Sequence, residues 1–146
     1  MPIPPRVSVV TLRTLDLERS TAFYAALGWE LSPASTPSMS LFKTAGSLLL
    51  LCTDQLLVEL GGDEVAAALR GEPAGEVVLS IHVATDGEVA GAVEEAVRAG
   101  GVVIKRPAAT PLGGSYAFFA DPDGHIWEVI RHPLYQLGAD GRPEVP

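Results

Sequence analysis

Cysteine is nearly missing from this chain of 146 residues. The single thiol, Cys52, leaves no internal disulfide framework and no zinc site built from several cysteines. Lysine is almost as scarce, with Lys43 and Lys105 the only two. Ten basic residues stand against eighteen acidic ones, a net charge of −8 with no basic stripe to offset it. Such a surface repels polyanions, so no nucleic-acid partner is expected. Long hydrophobic runs are missing too. The longest is a handful of residues around Leu48–Cys52, far below the ~20 that span a bilayer, and the opening MPIPPR has no signal-peptide core. A cytoplasmic protein without membrane contact is expected. Aromatics are only 6%, so aliphatic side chains must fill the interior; with 47% hydrophobic and 19% charged residues there is enough apolar material for a packed core.

Val7–Arg13 (VSVVTLR) is rich in β-branched residues and is expected to be a strand. From Asp16 the period becomes helical through Leu17, Ser20, Thr21, Phe23, Tyr24 and Leu27. Asp16 is placed to cap that helix, and Gly28 to stop it. Trp29–Leu31, Ser40–Thr44 and Leu48–Cys52 are predicted strands. The pattern then recurs. Val77–Ala84 (VVLSIHVA) is a strand, Val89, Ala92, Val93, Ala96 and Val97 carry a helical stripe, and Gly100-Gly101 ends it. Val102–Lys105, Tyr116–Ala120 and His125–Arg131 follow as strands, the last two joined by the turn Asp121-Pro122-Asp123-Gly124.

Leu17 and Val89 lie 72 residues apart, as do Gly28 and Gly100. The expected fold is therefore α+β: two tandem β-α-β-β-β modules, about residues 6–52 and 77–132. Neither module alone buries a sufficient core, so one domain over 6–132 is expected. The linker 53–76 is predicted to hold a short helix near Asp63–Leu69, ended by Gly71 and Pro73. The tail 133–146 carries Leu134, Tyr135 and Leu137, which suit docking.

The residues Asp16-Leu17-Glu18-Arg19-Ser20, Phe23-Tyr24 and Leu27-Gly28-Trp29, with Phe119-Ala120-Asp121-Pro122-Asp123-Gly124-His125 and Trp127-Glu128-Val129, resemble the vicinal oxygen chelate superfamily. Glyoxalase I, bleomycin-resistance proteins and extradiol dioxygenases share that fold. The resemblance covers nearly the whole chain and implies curved mixed sheets around a cleft with helices outside. It also implies a homodimer and, often, a divalent metal held by His, Glu or Gln on the first and last strands of each module. Function is not implied, because the family includes lyases, isomerases, oxygenases and drug binders.

Strand alternation assigns faces. Val10 and Leu12 suit the helix side, leaving Val9, Thr11 and Arg13 toward the cleft; Val78, Ser80 and His82 face it from the second module. Mapped onto this chain, the implied chelating places are Val9, Leu50, Ser80 and Glu128. Only Glu128 is a good ligand, so no metal ligand set is assigned; no cofactor is expected, and a divalent metal is disfavoured.

Glu128 is then either a hydrogen-bonded remnant or a functional carboxylate, and His82 either a structural histidine or its proton-shuttling partner. Arg13 suits either a rim charge or a clamp for an anionic ligand group. Cys52 shares the parity of Leu50 and either looks into the cleft or is a buried inert thiol. Tyr116, Phe118 and Trp127 are candidates for stacking on a planar ligand. Two functions remain open. One is a metal-independent binder that sequesters a small, planar or cationic organic molecule, using Thr11, Arg13, Leu50, Cys52, Ser80 and these aromatics. The other is a glyoxalase-like lyase or isomerase, metal-dependent or with Glu128 as base and His82 as acid.

Overall fold

In the computed structural model, which describes residues 3, 5–69 and 77–144, the two halves are separate four-stranded mixed sheets. The first module runs β1 (Val9–Arg13), α1 (Leu17–Ala26), β2 (Glu30–Leu31), β3 (Met39–Lys43) and β4 (Leu48–Cys52). After α2 (Asp54–Ala68), the second runs β5 (Val78–His82), α3 (Asp86–Arg98), β6 (Val102–Ala109), β7 (Ser115–Ala120) and β8 (Ile126–Arg131). Their strand orders match, β1-β4-β3-β2 and β5-β8-β7-β6, with β1 parallel to β4 and β5 parallel to β8. No closed barrel forms among the described residues. A small antiparallel pair, β9 (Gln136–Leu137) and β10 (Pro143–Glu144), ends the described chain.

Helix ends follow the expected chemistry. Asp16 accepts a hydrogen bond from the Arg19 amide at 2.9 Å, and Thr85 with Glu88 forms a reciprocal capping box on α3. α1 buries Ser20, Phe23 and Tyr24, and α3 buries Val89, Val93 and Ala96. The helices differ by about a turn, 10 residues against 13. The 72-residue spacing therefore holds at their C-termini, whereas the strands before them repeat with Thr11 matching Ser80 and Arg13 matching His82.

Two elements exceed their sequence expectation. α2 is two helical stretches flanking a break at Gly62 (φ 67, ψ −158): the second matches the helix expected near Asp63, and the first, from Asp54, adds to it. The double glycine hides the first of these stretches in the sequence. The expected stop at Gly71 and Pro73 lies outside the described residues. β6 continues past Lys105 through Pro107, with register shifts at both Val103/Lys105 and Lys105/Ala108. It is an outer strand, where a proline's missing N–H is tolerated.

One core joins the modules, combining Leu12, Phe42, Leu49 and Leu51 with Val89, Phe119, Trp127 and Val129 around Phe23 and Tyr24. Helix α1 is the bridge. Phe23 lies 6.5 Å from Phe119, and Tyr24 6.1 Å from Trp127, ring centre to ring centre. The Tyr24 hydroxyl donates to Asp121 Oδ2 at 2.7 Å and accepts from Trp127 Nε1 at 3.2 Å. His125 Nε2 reaches the Arg13 carbonyl at 2.6 Å. Each sheet thus buries its apolar face partly against the other half of the chain. The turn Asp121–Gly124 is part of that joint, since Asp121 also accepts from the Asp123 and His125 amides.

Candidate functional site

The β5–β8 register sets Ser80 directly opposite Glu128. The Ser80 hydroxyl donates to Glu128 Oε2 at 2.7 Å. His82 lies two residues further along the same face, opposite Ile130, with its ring 6.3 Å from that of Tyr135 in the tail. Phe118 on β7 stands across from Glu128 and meets Tyr116 edge-on at 5.9 Å. Lys105 Nζ sits 5.4 Å above the Tyr116 ring, within cation–π range. Glu128, Ser80, His82, Tyr116 and Phe118 therefore share one sheet face. In the first module the matching pair is Thr11 opposite Leu50, while Val9 is opposite Leu48.

Other candidates are placed apart. Arg13 forms a two-pronged ion pair with Asp54, both contacts at 2.7 Å. That hydrogen bonding raises the guanidinium pKa and lowers that of the Asp54 carboxyl, so Arg13 is engaged within the protein. Cys52 is fully buried, and burial pushes its thiol pKa up, favouring the unreactive protonated form. Trp127 points to the opposite face from Glu128, stacked near-parallel (8°) with Phe119 at 6.4 Å. Among the described residues no group of three His, Cys, Asp or Glu side chains is placed to share a metal ion.

A hollow of about 770 Å³ lies where the two modules meet. Val10 and Leu49 wall it from the first sheet, Leu79 and Ile81 from β5, and Trp29 with Trp127 completes the apolar lining. The two indoles meet at 5.4 Å with an interplanar angle of 86°. Ser80 and His82 contribute from β5, Glu30 and Lys43 from the far strands of the first sheet, and Arg142 from the tail. Its size and lining suit a small organic ligand, since such sites run roughly 300–1,000 Å³ with few polar groups. A second hollow of about 150 Å³, flanked by Thr11, Arg13 and His125, lies along the same seam.

A family model described as the Glyoxalase/Bleomycin resistance protein/Dioxygenase superfamily matches residues 6–129. The chain belongs to this superfamily. A glyoxalase-related enzyme from Fulvimarina pelagi is 34% identical, with a TM-score of 0.85 over 97% of this chain and 98% of that one. A glyoxalase/bleomycin resistance protein/dioxygenase from Nocardioides is 30% identical, with a TM-score of 0.73, 94% of this chain and 93% of the other being covered. A lactoylglutathione lyase from Agrobacterium tumefaciens shares the fold at 20% identity, with a TM-score of 0.68 over 93% of this chain and 100% of that one. No curated protein matches the chain in sequence. Among the described residues no helix is long and apolar enough to cross a membrane.

Of the residues singled out from sequence, Ser80 and His82 on the Glu128 face and Trp127 on the opposite one border the hollow, whereas Glu128 is not among its lining residues. Trp29, Val10, Leu49, Leu79, Lys43 and Arg142 were not singled out from sequence as site residues. Strand alternation turns Val10, Leu49 and Leu79 toward the helix side, where they read as core. Only the docking of one module on the other leaves a gap beside them.

Proposed function

We propose that this superfamily member binds a small, flat organic molecule without a metal, in the hollow between its modules. The observation that carries this reading is the 770 Å³ space walled by Trp29, Trp127 and aliphatic side chains. The superfamily's metal does not fit the residues present. Whether the first donor place is Val9, from strand parity, or Thr11, from the register, the set holds one carboxylate, that of Glu128. Leu50 donates nothing, and the Ser80 hydroxyl is already bonded to Glu128 Oε2. About three protein donors are needed for such an ion.

A panel of planar compounds screened by thermal unfolding tests the reading. A ligand at a hundredfold excess over its Kd stabilises by about 2.7 kcal/mol, or roughly 5–10 °C for a domain of this size. Chelator should leave that rise unchanged. Failure of every compound to raise the melting temperature, or a rise that chelator abolishes, overturns it.

A second reading, an acid–base enzyme, is favoured by one arrangement: Glu128 shares a sheet face with His82, and His82 lines the hollow. In that case Glu128→Gln removes the base and lowers turnover by about 10²–10⁴-fold. In a binder of a neutral molecule the same substitution changes affinity little, because the side-chain amide oxygen it introduces still accepts from Ser80.

A further inference from the structure

We infer that the hollow selects an organic anion with a flat apolar body, a step that rests on the binding reading above. The walls account for the body. Two indoles set edge to face present a flat surface beside an edge, against which an aromatic ring packs, and Leu79 and Ile81 add apolar contact.

The charge at the mouth accounts for the anion. Two cations, Lys43 and Arg142, line the hollow with one carboxylate, Glu30, and the imidazole of His82. With Asp140, which pairs with Arg142 from outside this lining, cations and carboxylates balance here, a departure from the chain as a whole, which carries −8 and has only two lysines. Each cation is paired with one carboxylate. Lys43 Nζ holds Glu30 Oε1 at 2.6 Å, and Arg142 Nε holds Asp140 Oδ2 at 2.6 Å. Both pairs are about half exposed or more, and such pairs contribute little to stability. A ligand carboxylate can therefore share either cation at small loss. A cationic ligand would meet Glu30 and Asp140, each already occupied by Lys43 or Arg142.

Arg142 reaches the hollow because of the tail. Gly141, at φ 76, turns the chain between β9 and β10. The Arg142 side chain then lies across the β3–β4 turn, its Cδ 3.5 Å from where a Cβ on Gly46 would stand. The tail thus supplies one of the two cations from outside both modules.

Three probes with one ring system separate the outcomes: naphthoate, naphthalenemethanol and naphthylmethylammonium. Affinity is read by calorimetry, and location by emission from Trp29 and Trp127, the only two tryptophans in the chain and both on the hollow. Naphthoate should bind tightest, quench the tryptophans and weaken with salt. Lys43→Gln and Arg142→Gln should each weaken naphthoate about threefold and together about tenfold, leaving naphthalenemethanol unchanged. Equal binding of naphthalenemethanol and naphthoate, or tighter binding of the ammonium probe, overturns the anion preference while the binding reading stands. If none of the three binds, the binding reading fails, and the preference with it. Melting temperatures of both variants should match wild type, since each replaced side chain is more than half exposed.

Discussion

Tyr24→Phe is the most informative single change for how the modules are held together. The side chain is fully buried, and its hydroxyl stands between Asp121 Oδ2 at 2.7 Å and Trp127 Nε1 at 3.2 Å. Phenylalanine keeps the ring contacts to Phe23, Trp29, Phe42 and Trp127. Only the two hydrogen bonds are lost. A bond to a charged acceptor is worth about 1.5–3 kcal/mol, and an orphaned buried donor costs about 1–3 kcal/mol, so a loss of about 3–4 kcal/mol is expected. With a urea slope of about 2 kcal/mol/M, the unfolding midpoint falls by roughly 1.5–2 M with the slope unchanged.

The pH dependence adds a second check. Burial, then the Asp121 charge, pushes the Tyr24 pKa above its ordinary value of 10.0. A raised folded-state value means that the hydroxyl's contribution is complete below the unfolded value and is lost as pH rises past it. The gap between wild type and Tyr24→Phe should therefore be constant below pH 10.0 and narrow above it. A midpoint shift under about 0.5 M at neutral pH would refute the view that this hydroxyl ties α1 to the second module.

Gly101→Ala should destabilise by about 1–3 kcal/mol through overpacking. Its Cβ would stand 2.8 Å from the Ala120 carbonyl oxygen, 3.0 Å from that of Ala96 and 3.0 Å from Phe23; chemical denaturation showing no loss would mean that the α3–β6 joint yields freely. Arg13→Gln tests the Arg13–Asp54 pair by pH. The Asp54 carboxyl is held below its ordinary value of 3.8 by the Arg13 hydrogen bond, so the stabilisation is present above that value and lost as pH falls through the lowered one. Melting temperatures of wild type and variant should differ at neutral pH and converge in acid; a constant difference would show that the pair contributes by packing alone.

The sequence by itself determined the two modules and their faces. Local rules suffice there: Asp16 and Thr85 cap helices because short side chains bond free amides, and apolar alternation in Val78–His82 decides which side meets a helix. The turn Asp121–Gly124 was legible for the same reason. Local rules failed where a local signal had a non-local answer. The linker was expected to hold a helix only near Asp63–Leu69, yet a further helical stretch runs from Asp54 up to the break at Gly62. The strand expected to end at Lys105 runs on through Pro107 to Ala109 because an outer strand accepts a proline. The tertiary structure alone decided what the candidate residues touch. Arg13 is engaged because α2 brings Asp54 to it from 41 positions away. Ser80 meets Glu128 from 48 positions away through a parallel register that no single strand encodes. The hollow depends on how α1 docks two sheets, so Trp29, not singled out from sequence, joins the stacking candidate Trp127 as a wall of one space. Periodicity records which side of an element is apolar; whether that side meets another side chain or a gap depends on packing between distant segments.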